Sequence, residues 1–325
     1  MHLQRERRIM IMVPIRPTLR EQSSRRPPRA RRRQHSSRVL NGFTVAALAY
    51  LLAFTLYPTI YALLSSLHDT NLAQPYLAQK FVGGANYAQL ASDVELHGAL
   101  IRTLIYMAAI IVEVLLGFAL AWVAYQNSHM RGISQLRALI SLPLFMAFFV
   151  AGILWRYMLS PGYGVMPDIL SHTPLKDVLW LADPTVVKIS LDLVDIWQWT
   201  PFTFLIFVAA LTSMPLDQLE SARVDGASTG QTLRHIVLPL ITPAIVVAVA
   251  FRLILSFQNF DTAYALNAGG PGNASELLTL YLYKLEFVLF RSSYGAALAV
   301  AILALIILLG QVMSRINLDT ESSSE

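Results

Sequence analysis

Six stretches of some twenty or more mostly apolar residues, at 40–64, 99–125, 138–159, 186–211, 236–257 and 294–313, constrain this chain more than any other feature it has. A helix needs about 20 mostly apolar residues to cross the hydrocarbon layer of a bilayer. Backbone N–H and C=O groups cannot stay unpaired in lipid, so runs this long must be helices rather than open strands. Composition agrees, with 55% hydrophobic residues, only 14% charged ones and a mean hydropathy of +0.52. That apolar share exceeds that of ordinary globular chains. The expected fold class is all-α, a polytopic membrane protein with six transmembrane helices.

Charge is distributed unevenly along the chain. The first 38 residues carry twelve Arg against Glu6 and Glu21, a local balance of +10, so the remainder sums to −5. Segment 1–38 reads as a disordered cytoplasmic tail touching anionic lipid; no aromatic residue interleaves its Arg run, which argues against nucleic-acid binding. Lys and Arg concentrate on the cytoplasmic flanks of transmembrane helices. With both termini inside, external loops fall at about 65–98, 160–185 and 258–293, and internal loops at 126–137 and 212–235. Basic residues outside the tail then divide evenly between the two sides, so the tail decides orientation. The transmembrane domain is 39–314, followed by a short cytoplasmic tail, 315–325.

Several kinds of chemistry are excluded. The chain has no Cys, which removes disulfides, thiolate nucleophiles and Cys-based metal sites. None of the four Lys follows a Gly-rich run, so no loop cradles nucleotide phosphates. The seven His are scattered, and no nucleophile–base pair suggests an enzyme. Catalytic, cofactor and metal residues are therefore expected to be none. An ion-coupled symporter should show broken inverted repeats, and none is visible in the sequence. Ionisable groups inside spans are costly, which singles out Glu113, Asp192, Asp195 and Arg252, with Asp192 expected near the outer interface. Arg102 and Arg156 are expected to snorkel to the headgroups.

The internal loop at 213–239 has a legible local structure. Pro215 suits the first turn of a helix, Glu220 and Arg223 stand three apart on its surface, and Gly226 can adopt the left-handed conformation that ends it. Ser228 and Gln231 then form a capping-box pattern for a second helix entering the fifth span. Its string Glu220-Ser221-Ala222, Asp225-Gly226-Ala227, Ile236-Val237-Leu238-Pro239 resembles the EAA loop of permease subunits of ATP-binding-cassette importers. Ser221 replaces the usual first Ala, a small-for-small change.

Further matches point to the carbohydrate-uptake branch, of the maltose, glycerol-phosphate and trehalose type. They are Phe81-Val-Gly83-Gly-Ala-Asn86-Tyr87, Leu142-Pro143, Trp155-Arg156, Asp195-Ile-Trp197-Gln-Trp199-Thr-Pro201-Phe202, Phe260-Asp261-Thr-Ala-Tyr264 and Gly269-Gly270-Pro271-Gly272. The chain looks more like the first of the two permeases that such importers pair. The resemblance implies a multi-pass protein of the bacterial cytoplasmic (inner) membrane, without ATP hydrolysis of its own. Its implied partners are a second homologous permease, two ATP-binding-cassette ATPase subunits, an extracytoplasmic sugar-binding protein, membrane lipid and the carbohydrate itself. It implies ATPase coupling by Glu220, Ala222, Asp225, Gly226, Ala227, Leu238 and Pro239.

Sugars are held by aromatic faces together with amide, carboxylate and hydroxyl hydrogen bonds. Both are combined in Trp197, Trp199 and Phe202 of the fourth span and in Arg252, Ser256, Asn259 and Asp261 at the end of the fifth. Counted without gaps from Glu220, the positions matching the sugar contacts of the maltose-type permeases are Ile196, Trp199, Phe202, Arg252, Leu255, Ser256 and Asn259. Several identities differ, so the sugar need not be maltose.

Overall fold

A computed structural model describes residues 35–70 and 80–322. The Arg-rich tail up to residue 34, the stretch 71–79 of the loop expected to be external and the last three residues lie outside the described residues. The chain divides into two units, Met1–Leu56 and Tyr57–Glu325, with the division inside the first helix, α1 (His35–Ser66). The described part of the first unit is the leading portion of α1. Helix thus starts within the segment expected to be tail.

In the second unit a short antiparallel pairing, β1 (His68–Asp69) with β2 (Lys80–Phe81), follows the end of α1. Next come α2 (Ala85–Ser92), α3 (Val94–Tyr106), α4 (Ala109–Gln126), α5 (Ile133–Ser141), a 3₁₀ turn (Leu142–Phe145), α6 (Phe148–Leu159), α7 (Val165–Leu170) and α8 (Val186–Thr212). The rest is α9 (Leu216–Val224), α10 (Thr229–Thr232), a π turn (Leu233–Val237), α11 (Leu238–Phe257), α12 (Asp261–Asn267), α13 (Leu278–Tyr283), a second π turn (Lys284–Val288) and α14 (Ser292–Ser322). Among the described residues, five helical stretches are long and apolar enough to span a membrane: Phe43–Ser66, Val94–Gln126, Val186–Thr212, Thr229–Phe257 and Ser292–Arg315. The second starts five residues earlier than its hydropathy does. Asp93 caps it, its Oδ1 accepting from the backbone N–H of Glu95 at 2.9 Å and of Leu96 at 3.1 Å.

The expected span at 138–159 needs correction. It is two helices, Ile133–Phe145 and Phe148–Leu159, that meet at 96°. Pro143 has no N–H to continue an α-helical ladder, and the chain passes through the 3₁₀ turn into extended backbone at Met146 and Ala147 before α6 starts. Hydropathy sums residue types along the chain and cannot register a corner made by one ring.

Apolar attraction between helices is weak in lipid, so close packing there depends on small residues. A Cβ on Gly117 of α4 would lie 2.0 Å from Thr203 Oγ1 and 2.9 Å from the Phe204 nitrogen of α8. One on Gly152 of α6 would lie 2.7 Å from Ala265 Cβ of α12. Two apolar cores result. One gathers Tyr106, Leu191, Phe257, Leu266, Leu278 and Tyr294. The other holds Phe204, Phe207, Leu211, Val237, Ile241 and Ala248, beside the 213–239 connector.

Candidate functional site

Three of the longest helices each contribute an ionisable group to one buried point. Asp195 and Trp199 lie four apart on α8, and Arg252 and Ser256 four apart on α11, so each pair shares a helix face. Glu113 faces them from α4. The Arg252 guanidinium donates from Nε to Glu113 Oε2 at 2.5 Å, and from Nη2 to Glu113 Oε1 at 2.9 Å and Asp195 Oδ2 at 2.6 Å. Glu113, Asp195 and Arg252 are 0%, 2% and 1% exposed. Charges withdrawn from water so completely persist only when paired and hydrogen-bonded, as all three are here.

The cation also stands over an aromatic ring. The Arg252 Cζ lies 4.4 Å from the centre of Trp199, a cation–π contact. The same ring stacks on Phe148 of α6, with centroids 5.2 Å apart, and takes the edge of Phe202 at 5.7 Å. The corner after Pro143 is what delivers Phe148, and Gln198 Nε2 steadies it by donating to the Met146 carbonyl at 3.0 Å. Beside Trp199 opens a cavity of about 200 Å³, whose polar lining is Asp195, Arg252, Gln258, Asn259, Asp261 and Thr262. The side-chain amide of Asn259 donates to the Tyr106 hydroxyl, and its backbone carbonyl accepts from Thr279 Oγ1 at 2.5 Å.

Of the residues expected along a sugar path, Trp199, Arg252, Asn259 and Asp261 line this cavity, as does Leu255, and Phe202 buttresses the tryptophan. Ser256 is buried with its hydroxyl unpartnered and does not line the cavity. Trp197 is not brought to it, and packs edge-on against Trp155 at 5.7 Å. Two residues along a helix turn the side chain by about 200°, so Trp197 and Trp199 must point opposite ways. The sequence signalled Glu113 and Asp195 only as costly intramembrane charges. Their shared partner Arg252, 139 residues from Glu113, needs the tertiary fold to be seen.

The connector folds as its capping signals require. Gly226 has φ +75°, and the Ala227 N–H reaches the Ala222 carbonyl at 2.9 Å, closing α9 in a Schellman motif. Ser228 Oγ accepts from the Gln231 N–H at 3.3 Å while Gln231 Oε1 accepts from the Ser228 N–H at 2.8 Å, the full capping box. Ala222 is buried and packs the connector down; Glu220, Asp225, Gly226 and Pro239 are exposed, and Ala227 and Leu238 half-buried. The Arg223 side chain, expected near Glu220, lies outside what is described. A larger hollow of about 560 Å³ sits against this connector, lined by Trp122, Tyr125, His129, Leu219, Ala227 and Thr232 among others. Among the described residues no group of His, Asp and Glu is arranged to hold a metal ion.

Comparison with known proteins adds a second kind of observation. A family model described as "Binding-protein-dependent transport system inner membrane component" matches residues 113–318. A probable ABC transporter permease protein, y4oQ, of Sinorhizobium fredii is 35% identical over 263 residues, covering 81% of this chain and 84% of its own. The trehalose transport system permease SugA of Mycobacterium tuberculosis is 34% identical over 257 residues, 79% of this chain and 81% of its own. A chain from the crystal structure of a bacterial ABC transporter that imports the acidic polysaccharide alginate superposes with a TM-score of 0.69 at 23% identity, covering 86% of this chain and 96% of that one.

Proposed function

This chain belongs to the binding-protein-dependent transport system inner membrane components, and on that premise we propose that it carries a sugar through the membrane along the cavity beside Trp199 and Arg252. It is the membrane-embedded permease of an ATP-binding-cassette importer and not an enzyme. The observation that carries the sugar reading is the cavity itself. An aromatic ring, a guanidinium, two amides and two carboxylates converge on about 200 Å³ near the middle of α8. That is below the roughly 300–1,000 Å³ of drug-sized sites, as suits a small polar solute. Relatives named as sugar permeases, the trehalose one among them, point to the same substrate class.

The partners follow from the same premise. A second homologous permease completes the path, a sugar-binding protein delivers the solute from outside, and two ATPase subunits supply the work. The exposed surface of the connector, with Glu220, Asp225 and Gly226 at its turn, is where the ATPase is taken to grip; Leu238 and Pro239 carry the motion into α11. In this reading residues 39–314 form the permease domain, with tails 1–38 and 315–325 and both termini in the cytoplasm.

The test is uptake by the importer reconstituted with its partner chains. Trp199→Ala and Asn259→Ala should each lower sugar uptake about tenfold or more while the complex still assembles, since a buried amide hydrogen bond or a stacked ring contributes about 1–3 kcal/mol. Parental rates in both variants would remove the cavity from the path.

A further inference from the structure

The charge on the cavity wall narrows the substrate class further. Arg252 is the one cation among the lining residues, and its charge is already paired with carboxylates, through Nε to Glu113 and through Nη2 to both Glu113 and Asp195. Asp195 itself lines the cavity, and a third carboxylate, Asp261, stands on the wall with no basic group paired to it among the described residues. One positive charge thus faces three carboxylates, and negative charge prevails even with one proton shared among them.

Resting on the reading of this cavity as the sugar path, we propose that it is built for a neutral, hydroxyl-rich ring and rejects sugars that carry a carboxylate, sulfonate or phosphate. A neutral sugar hydroxyl donates to a carboxylate such as Asp261 or Asp195 in a charge-assisted hydrogen bond, and accepts from or donates to the amides of Gln258 and Asn259. An anionic group has no proton to offer. It would lie against Asp195 and Asp261, and the charge of Arg252 is already balanced by Glu113 and Asp195, so net repulsion remains. The site selects by repulsion as much as by attraction.

The experiment compares uptake of trehalose, maltose and glucose with that of the corresponding uronates, in proteoliposomes holding the whole importer and its binding protein. The same binding protein serves every variant, so its own preference cancels when neutral-to-uronate ratios are compared between variants. The parental importer should favour the neutral sugar by at least about tenfold. Asp195→Asn should narrow that ratio about tenfold. Asp261→Asn should narrow it by about fivefold, the Coulomb effect of one charge at roughly 4 Å in water. Asp261 is exposed and does not touch Arg252, so this variant decides the matter even where Asp195→Asn fails to fold. Uronate uptake equal to neutral uptake in the parent, or a ratio unmoved by Asp261→Asn, overturns the proposal and leaves the sugar-path reading standing. Uptake of none of the neutral sugars, with ATPase activity intact, overturns that reading and the proposal with it.

Discussion

Arg252 takes a full positive charge into an apolar interior, where its stability depends on both Glu113 and Asp195. Removing one member of such a buried cluster commonly costs about 3–5 kcal/mol, because the others keep their charge without a partner, whereas replacing the whole cluster by uncharged groups can be near neutral. Arg252→Met should therefore lower the melting temperature of the purified protein markedly, and the triple variant Arg252→Met, Glu113→Gln, Asp195→Asn should recover most of the loss. A triple variant no more stable than the single one would mean that the cluster is not held by charge pairing. Asp93 makes a different contribution at the mouth of α3. Burial pushes its carboxyl up, but hydrogen bonds from the Tyr281 and Tyr294 hydroxyls and from the backbone N–H of Leu96 and Glu95 outweigh it and hold the group below the ordinary carboxylate range. A carboxyl depressed by folding stabilises the native state above its unfolded value, and that stability is lost as pH falls through the folded one. Thermal unfolding followed from pH 6 down to about pH 3 should fall less steeply in Asp93→Asn than in the parent; parallel curves would exclude a part for Asp93.

At the scale of elements, the contact of α4 with α8 turns on Gly117. Any side chain there meets Thr203 Oγ1 and the Phe204 backbone, and backbone cannot give way as a flexible side chain can. Gly117→Val should push α4 from α8 and pull Glu113 away from Arg252, so lowered thermal stability and lowered uptake should appear together. Gly226 differs: a Cβ there meets nothing within 4 Å, and the constraint is its φ of +75° alone. A β-branched residue adopts that conformation only at a cost, so Gly226→Val should reshape the connector and weaken co-purification of the ATPase while the permease still inserts. Unchanged ATPase retention would leave the connector as an ordinary link between spans. These elements also show which features a sequence discloses. Gly226 and the Ser228–Gln231 box were legible because caps are written within a few neighbouring residues. The corner at Pro143 is not legible from hydropathy, because a run of apolar residues outweighs a single missing N–H in any such sum. Helical period sets Trp197 and Trp199 facing opposite ways, so the two cannot share one path. The joining of Glu113 to Arg252 depends on three helices meeting and has no local signature.

For the whole molecule the open question is direction, and it rests on charge far from any site. The first 38 residues hold +10 and the rest of the chain −5, while the basic residues beyond that tail and outside the spans divide evenly between the two sides. Positive charge close to the first span resists translocation, and the first helix usually dominates orientation. In the proposed topology the Arg-rich tail is what sets both termini in the cytoplasm, without a part in holding sugar. Because the chain contains no Cys, single introduced cysteines report sidedness without background. Lys80→Cys, in the loop this topology places outside, should react with a membrane-impermeant thiol reagent from outside, whereas Ser228→Cys, exposed on the connector, should react only after the membrane is opened. Deleting residues 2–34, which stops short of α1, should give a mixed population in which each cysteine is partly reactive from the wrong side. The correctly inserted fraction should bind and carry the same sugars as the parent, since the cavity residues lie far along the chain, from Phe148 to Thr262. Uniform orientation after deletion would transfer the orienting role to the loops, and altered sugar preference in correctly inserted molecules would place the tail in the transport cycle.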